Sequence, residues 1–380
     1  MASSFLTWFW NERFWLPHNT TWADLRNTED AVFAQATDLW IMFPYSIVLY
    51  GIRILIERLI ARPIGRKLQI SDVPNRPPAP NAVLEKVFYS ITKYPDGERL
   101  EGLCKQLDWR EHQVLRWFRR KREIDRPSKL MKFSETVWRF MFYVTVFIYG
   151  LYTTFQTDCP TNTRSCWEGY PDRQHLKPLN YWYYQTELAF YTSCTISQFF
   201  DIKRKDFWIM FAHHIATIFL IMFSYSINML NVGMLIMLLH DFSDVFLETS
   251  KIAKYTKQET FATIGLISFA TSFVLARIVY FPFWILYSIW FDAFDVVGPF
   301  PSWYIFCVWL AILQFLHIYW CTFIVKGFIR LFKKGGQADD ERSESEVSDS
   351  EEDVDVTRAR TESQGDGPGI NGVTLRKAHK

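Results

Sequence analysis

Residues Phe207–Ile227 read FWIMFAHHIATIFLIMFSYSI, an apolar run with two adjacent histidines, His213 and His214, inside it. About 20 residues at about 1.5 Å each is the length needed to cross the hydrocarbon core of a bilayer. After a short connection, a second apolar stretch carries His240, Asp241, Asp244 and Glu248. An ionisable side chain at membrane depth costs roughly 2.5–3.5 kcal/mol by insertion scales. A chain rarely keeps several of them for packing alone, so these residues are the first candidates for chemistry.

Outward from this stretch the same pattern repeats. The chain of 380 residues is 49% hydrophobic and 18% aromatic, with a net charge of +2. Its mean hydropathy lies near zero because apolar blocks are averaged with a basic segment and an acidic tail. Candidate spans fall at approximately 39–57, 139–156, 181–200, 207–227, 232–250, 261–289 and 303–331. The expected fold is an all-α polytopic membrane protein of about seven transmembrane helices, one N-terminal and six grouped over 132–332. The sixth span, with Pro282, is long enough to tilt or kink. Met1–Trp10 lacks the basic flank and cleavage site of a signal peptide.

Loop charge sets the expected orientation. The segment 58–132 is rich in Lys and Arg, and Lys203-Arg204-Lys205, the lysines 251, 254 and 257, and Lys333-Lys334 follow alternate spans. The intervening loops are poor in basic residues, so the positive-inside rule puts the N-terminal segment 1–38 in the lumen and the C-terminus in the cytosol. The sequon at Asn19 then faces the lumen, where a glycan can be attached. Cys159 and Cys166 share a lumenal loop and are either disulfide-bonded or two free thiols.

Two soluble segments interrupt the pattern. Over 74–128, a Pro-rich linker precedes three expected helices: one capped by Asn81 and running through Lys93, one over Glu98–Leu107, and one over Trp109–Glu123 capped by Asp108. The third ends in Trp117-Phe118-Arg119-Arg120-Lys121-Arg122, which resembles the recognition helix of a homeodomain. Arg120 stands where that family places its adenine-reading Asn, and the minor-groove arm is missing. Both departures argue against DNA reading and favour a small bundle whose basic helix lies near phosphates or anionic lipid. The tail 335–380 is acidic and poor in apolar residues, which predicts disorder. In it Ser343, Ser348 and Ser350 suit an acidophilic kinase, against the alternative of an unmodified solvated tail.

On a helix Asp241, Asp244 and Glu248 form one polar stripe with His240 at its edge. His213 and His214 lie about 10 Å, and Asp241 and Asp244 roughly 9–14 Å, from the cytosolic ends of their helices at 1.5 Å per residue. The clusters therefore meet at similar depth on antiparallel neighbours. A carboxylate that orients an imidazole makes it a base, or a nucleophile toward an acyl group. The competing readings are interhelical hydrogen bonds and a metal site of His213, His214, His240 and Asp ligands. The metal site is disfavoured, since diiron lipid enzymes need many more histidines and only His317 remains in the spans. Glu187 and Arg277, the other intramembrane charges, are expected to form an ion pair sealing the lumenal end.

Asp201-Ile202-Lys203-Arg204-Lys205-Asp206-Phe207, then His213-His214, then Leu239-His240-Asp241-Phe242-Ser243-Asp244 resembles the Lag motif of the TLC-domain ceramide synthases. The resemblance runs from Trp8–Leu25 through the partial homeodomain to the acidic tail, and is strongest to the type 5 and 6 members. It implies a multi-pass endoplasmic-reticulum enzyme that transfers a fatty acyl group from coenzyme A to the amine of a sphingoid base, giving ceramide and CoA. Acyl-CoA is then a co-substrate, no cofactor or metal is required, and homo- or hetero-dimers with related synthases are compatible with it. The family's essential residues match His213, His214, Asp241 and Asp244. Lys203, Arg204 and Lys205 are candidates for the CoA phosphates. The loop influencing acyl length is Asp292-Ala293-Phe294-Asp295-Val296-Val297-Gly298-Pro299-Phe300-Pro301, whose likeness to types 5 and 6 implies a palmitoyl chain. Phe242 and Thr192 depart from the family pattern at positions that bear on packing or chain preference. A non-catalytic TLC lipid sensor or transporter is the alternative.

Overall fold

The computed structural model describes residues 7–70, 72, 78–124, 128–201 and 206–333, and every regular element among them is helical. One body holds the long helices. In it α1 spans Ala36–Lys67. The insertion, a separate unit, carries α2 (Ala82–Ser90), α3 (Gly97–Leu107) and α4 (Glu111–Ile124). The chain then returns to the first body with α5 (Lys129–Thr154), α6 (Pro178–Ser197), α7 (Phe207–Ser226), α8 (Leu230–Tyr255), α9 (Glu259–Val296) and α10 (Pro301–Lys333). Five of these, α1 and α7 to α10, are long and apolar enough to cross a membrane. The expected spans at 139–156 and 181–200 fall in α5 and α6, which have the length but a more polar composition.

The helices pack with α8 at the centre against α5 and α9, while α1 runs parallel along α6 and α10 packs on α7 and α9. Around Pro282 the backbone of α9 widens into π-helical turns over Val274–Leu286, as expected where a proline removes a donor from the ladder. The α7–α8 turn is held by Asn228, fully buried at φ 60°, a conformation Asn tolerates better than most residues. Its amide donates to the carbonyls of Pro171 and Gln174 at 2.7 Å each. On this side of the bundle the N-terminal segment packs inward: Trp15 stacks on Phe223 at 4.7 Å, and its carbonyl accepts from Ser302. Cys159 and Cys166 are joined in a disulfide behind it, and Trp167 Nε1 donates to Ser288 across the bundle.

The insertion has its own apolar core of Leu84, Phe88, Leu100, Leu103, Val114, Trp117 and Phe118. Asn81 caps α2 as expected, accepting from the amides of Val83 and Leu84, but the helix stops at Ser90 rather than Lys93. Asp108 does not cap the third helix. It closes α3 in a left-handed conformation, φ 54°, and α4 starts only at Glu111. A left-handed residue ends a helix by turning the chain away from its axis, and Asp is among the few side chains that tolerate it.

Candidate active site

His213 and His214 enter the bundle on α7, two turns from its start, and α6, α8, α9 and α10 surround them. His213 packs edge-to-face on Trp320 of α10 at 5.1 Å, and both histidine rings face Tyr191 of α6. Nδ1 of each ring is sealed from solvent with no hydrogen-bond partner among the described residues. Among the described residues no carboxylate bonds either ring, contrary to the expected imidazole–aspartate pairing. Any group reaching these histidines meets Nε2.

The aspartates take other partners. Asp244 accepts from Arg277 Nη2 at 2.9 Å, and the same nitrogen donates to the His240 carbonyl at 2.7 Å. Arg277 also lies over the Phe273 ring, 4.9 Å from its centroid. Arg277 therefore does not pair with Glu187, and the expected lumenal seal between those two charges is absent. Glu187 instead faces Asp241, the two carboxyls lying within hydrogen-bonding range across the α6–α8 contact. Glu248, at the far end of the stripe, pairs with Lys251 at 2.8 Å.

His240 is occupied at both ring nitrogens. Nδ1 donates to the Ile236 carbonyl at 2.7 Å, which leaves Nε2 as the acceptor for His317 Nε2 of α10 at 2.9 Å. That assignment follows from the network. His240 thus presents carbon edges rather than a free base. Among the described residues no three His, Cys, Asp or Glu side chains gather around a point where a metal would sit.

Beside these groups opens a cavity walled by residues of α6, α7, α8, α9 and α10. It begins at Tyr191, Thr217 and His240, one helical turn from His213, and ends at Met229, Val232, Ile289 and Phe306. Thr217 Oγ1 donates to the His213 carbonyl, tying the mouth of the cavity to the histidine. Gly233 lets Tyr184 reach in: a Cβ there would stand 1.8 Å from the Tyr184 hydroxyl, which bonds the carbonyls of Met229 and Leu230.

None of Asp292–Pro301 lines the cavity, although Ile289 and Phe306 on either side of that loop form its end wall. Phe300 is buried in the same apolar cluster as those two, behind the wall. Phe242 stacks on Phe147 of α5, away from the cavity, and Thr192 bonds its own helix at the Leu188 carbonyl. Asn19 is exposed. Lys203, Arg204 and Lys205 lie outside the described residues, as do Ser343, Ser348 and Ser350.

A family profile described as a TLC domain matches residues 132–326, which holds every residue of this site. Ceramide synthase 5 of Mus musculus is 43% identical over 342 residues, covering 90% of this chain and 82% of its own. Ceramide synthase 5 of Homo sapiens is 43% identical over 98% of this chain and 94% of its own. Ceramide synthase 4 of Homo sapiens is 40% identical over 93% and 90% respectively. The chain belongs to the ceramide synthase family. In this ceramide synthase family member, sequence reasoning missed Tyr191, Trp320 and the wall of α10. The one available signal was His317, an ionisable residue in the last span with no partner assigned to it.

Proposed function

We propose that the protein is a ceramide synthase that transfers a fatty acyl group from acyl-CoA to the amine of a sphingoid base. The observation that carries this reading is the apolar cavity running away from the His213 turn, built to hold an alkyl tail whose carboxyl end lies at the histidines. From His213 to Ser224 the cavity side of α7 extends eleven residues, roughly 16 Å at 1.5 Å per residue. An extended chain advances roughly 1.2 Å per bond, so this length holds roughly thirteen bonds, close to the length of a palmitoyl tail. Palmitoyl-CoA is the proposed donor.

CoA stays on the side where α7 begins and α8 ends, which loop charge assigns to the cytosol. The thioester meets His213, which attacks it through Nε2 to give an acyl-imidazole, or removes a proton from the amine. His214 and Tyr191 hold its ring face, and Asp241 and Asp244 set the charge around it. The N-terminus then lies in the lumen of the endoplasmic reticulum and the bundle crosses the membrane seven times, with α5 and α6 shielded by their neighbours.

The test is a panel of acyl-CoAs with a sphingoid base and purified protein, read by mass spectrometry of the product. Ceramide formation that peaks near palmitoyl and is lost in His213→Ala supports the reading. Equal synthesis by both proteins removes His213 from the site, and no synthesis from any donor favours a lipid sensor or transporter. Intact-mass measurement with acyl-CoA alone separates the two chemical routes, since only the covalent one leaves an adduct.

A further inference from the structure

Glu187 and Asp241 are the most deeply buried carboxyls of the bundle, each about 1% exposed. They face each other from α6 and α8 within hydrogen-bonding range. Among the described residues no side chain or amide donates to either oxygen of Glu187 or to Oδ2 of Asp241. Arg277, the nearest cation on α9, spends its hydrogen bonds on Asp244 and the His240 carbonyl. Two ionised carboxylates are both acceptors and cannot bond each other. Like charges at that distance in an apolar interior do not both persist, and one proton held between them resolves the contact.

We propose that Glu187 is a positioning residue for Asp241: the two share one proton, so that Asp241 meets the reaction as half of a singly charged pair. The proposal rests on the acyl-transfer reading above. A sphingoid ammonium loses two protons as its nitrogen becomes an amide. The C–N bond forms, the acyl–sulfur bond breaks, and one proton ends on the CoA sulfur. The other needs an acceptor near the histidines, and the pair supplies it by passing from one shared proton to two before releasing one to water. The groups facing the pair are Tyr183 and Tyr191 of α6, Asp244 of α8 and Arg277 of α9, with Tyr143 of α5 next to Asp244 and Arg139 of α5 next to Tyr143 and Glu135. Gly150 of α5 leaves the room Tyr183 needs, since a Cβ there would lie 2.6 Å from its hydroxyl.

The test compares full-length wild type with Glu187→Gln, which keeps the shape but cannot take up a proton. The amide donates to Asp241 and holds it as an ordinary carboxylate. At pH 7, kcat for ceramide formation should fall at least tenfold, with KM for the sphingoid base within threefold of wild type. The acid limb of the kcat profile should move at least one pH unit lower, a change that a purely structural defect does not produce. A wild-type profile, or a loss of rate with the profile unmoved, overturns the proposal. Infrared difference spectra of the wild type give a second measurement independent of activity. A protonated-carboxyl band at neutral pH that disappears in Glu187→Gln and Asp241→Asn supports the pair, and its absence in wild type overturns it. If the wild type makes ceramide while Glu187→Gln behaves as wild type, this inference alone fails; if the wild type makes no ceramide from any donor, the acyl-transfer reading fails with it.

Discussion

Val232→Phe should shorten the acyl chain that the protein selects. Val232 is buried in the end wall of the cavity on α8, eight residues from His240, and so about 12 Å deeper at 1.5 Å per residue. A phenyl ring at that position fills the space of the last two or three carbons of a palmitoyl tail. Each methylene kept from apolar contact forfeits about 0.8 kcal/mol, so two of them amount to about 1.6 kcal/mol, a discrimination of about 15-fold against the longer donor. Competing acyl-CoAs of graded length with one sphingoid base, read by mass spectrometry, give the ratio of kcat/KM values directly. The product maximum should move two to three carbons shorter. Phe306→Ala, which opens the same wall from α10, should move it the other way. An unchanged product distribution in both folded variants, or a shift of both in one direction, means that the tail does not end at this wall.

Three other perturbations separate packing from chemistry. Arg277→Met removes both guanidinium hydrogen bonds, one of them to the partly exposed carboxylate of Asp244, a loss of about 1.5–3 kcal/mol; melting in detergent should drop by on the order of 5 °C for a domain of this size. Adding Asp244→Asn should recover much of that stability without recovering activity, and a double variant no more stable than Arg277→Met would refute the pairing. Gly233→Ala drives a methyl into the Tyr184 hydroxyl, so a loss of about 1–3 kcal/mol from overpacking is expected, together with a narrowed cavity; undiminished stability and rate would show that Tyr184 can move aside. In the N-terminal segment, Asp24 accepts from the amide and hydroxyl of Thr21, which hold its carboxyl below the ordinary value. A depressed carboxylate stabilises the fold above its unfolded value and ceases to do so as pH falls through its folded value. The difference in melting between wild type and Asp24→Ala should therefore be present at neutral pH and vanish in acid, and a difference independent of pH would point to another cause.

The sequence carried the depth of the site but not its angles. Hydropathy and loop charge locate a side chain along the bundle axis, and on that coordinate His213, His214, Asp241 and Asp244 align. Asp241 and Asp244 are three residues apart, however, so their directions differ by roughly 60° around α8. That angle sends one toward α6 and Glu187, and the other toward α9 and Arg277. The expected Glu187–Arg277 pair placed two charges by depth alone and missed that α8 stands between them with an acid for each. The cavity wall was invisible for a related reason. Leu310 and Leu313 lie about ninety residues along the chain from Ser224 and resemble any other leucines of a spanning helix. Only the crossing of α10 over α7 brings them opposite one another.

The partition of polar groups explains why a tail and a set of charges can share one bundle. The cavity lining is apolar except for the hydroxyls of Tyr184, Tyr191, Thr217 and Ser224 and the ring of His240. The Tyr184, Thr217 and Ser224 hydroxyls donate to backbone carbonyls of their own or adjacent helices, and the His240 nitrogens are occupied by Ile236 and His317. An alkyl chain sliding past them displaces no hydrogen bond and uncovers no charge, so its burial keeps its full hydrophobic gain. Arg277, Asp244, Glu187 and Asp241 lie off the lining, on the faces where α8 meets α9 and α6. Moving any one of them onto the cavity wall would set an unpaired charge against hydrocarbon, a cost larger than several methylenes return. His213, one turn beyond the apolar lining and beside the charged faces, is the position where an acyl carbonyl leaves the hydrocarbon and meets groups that can move its protons.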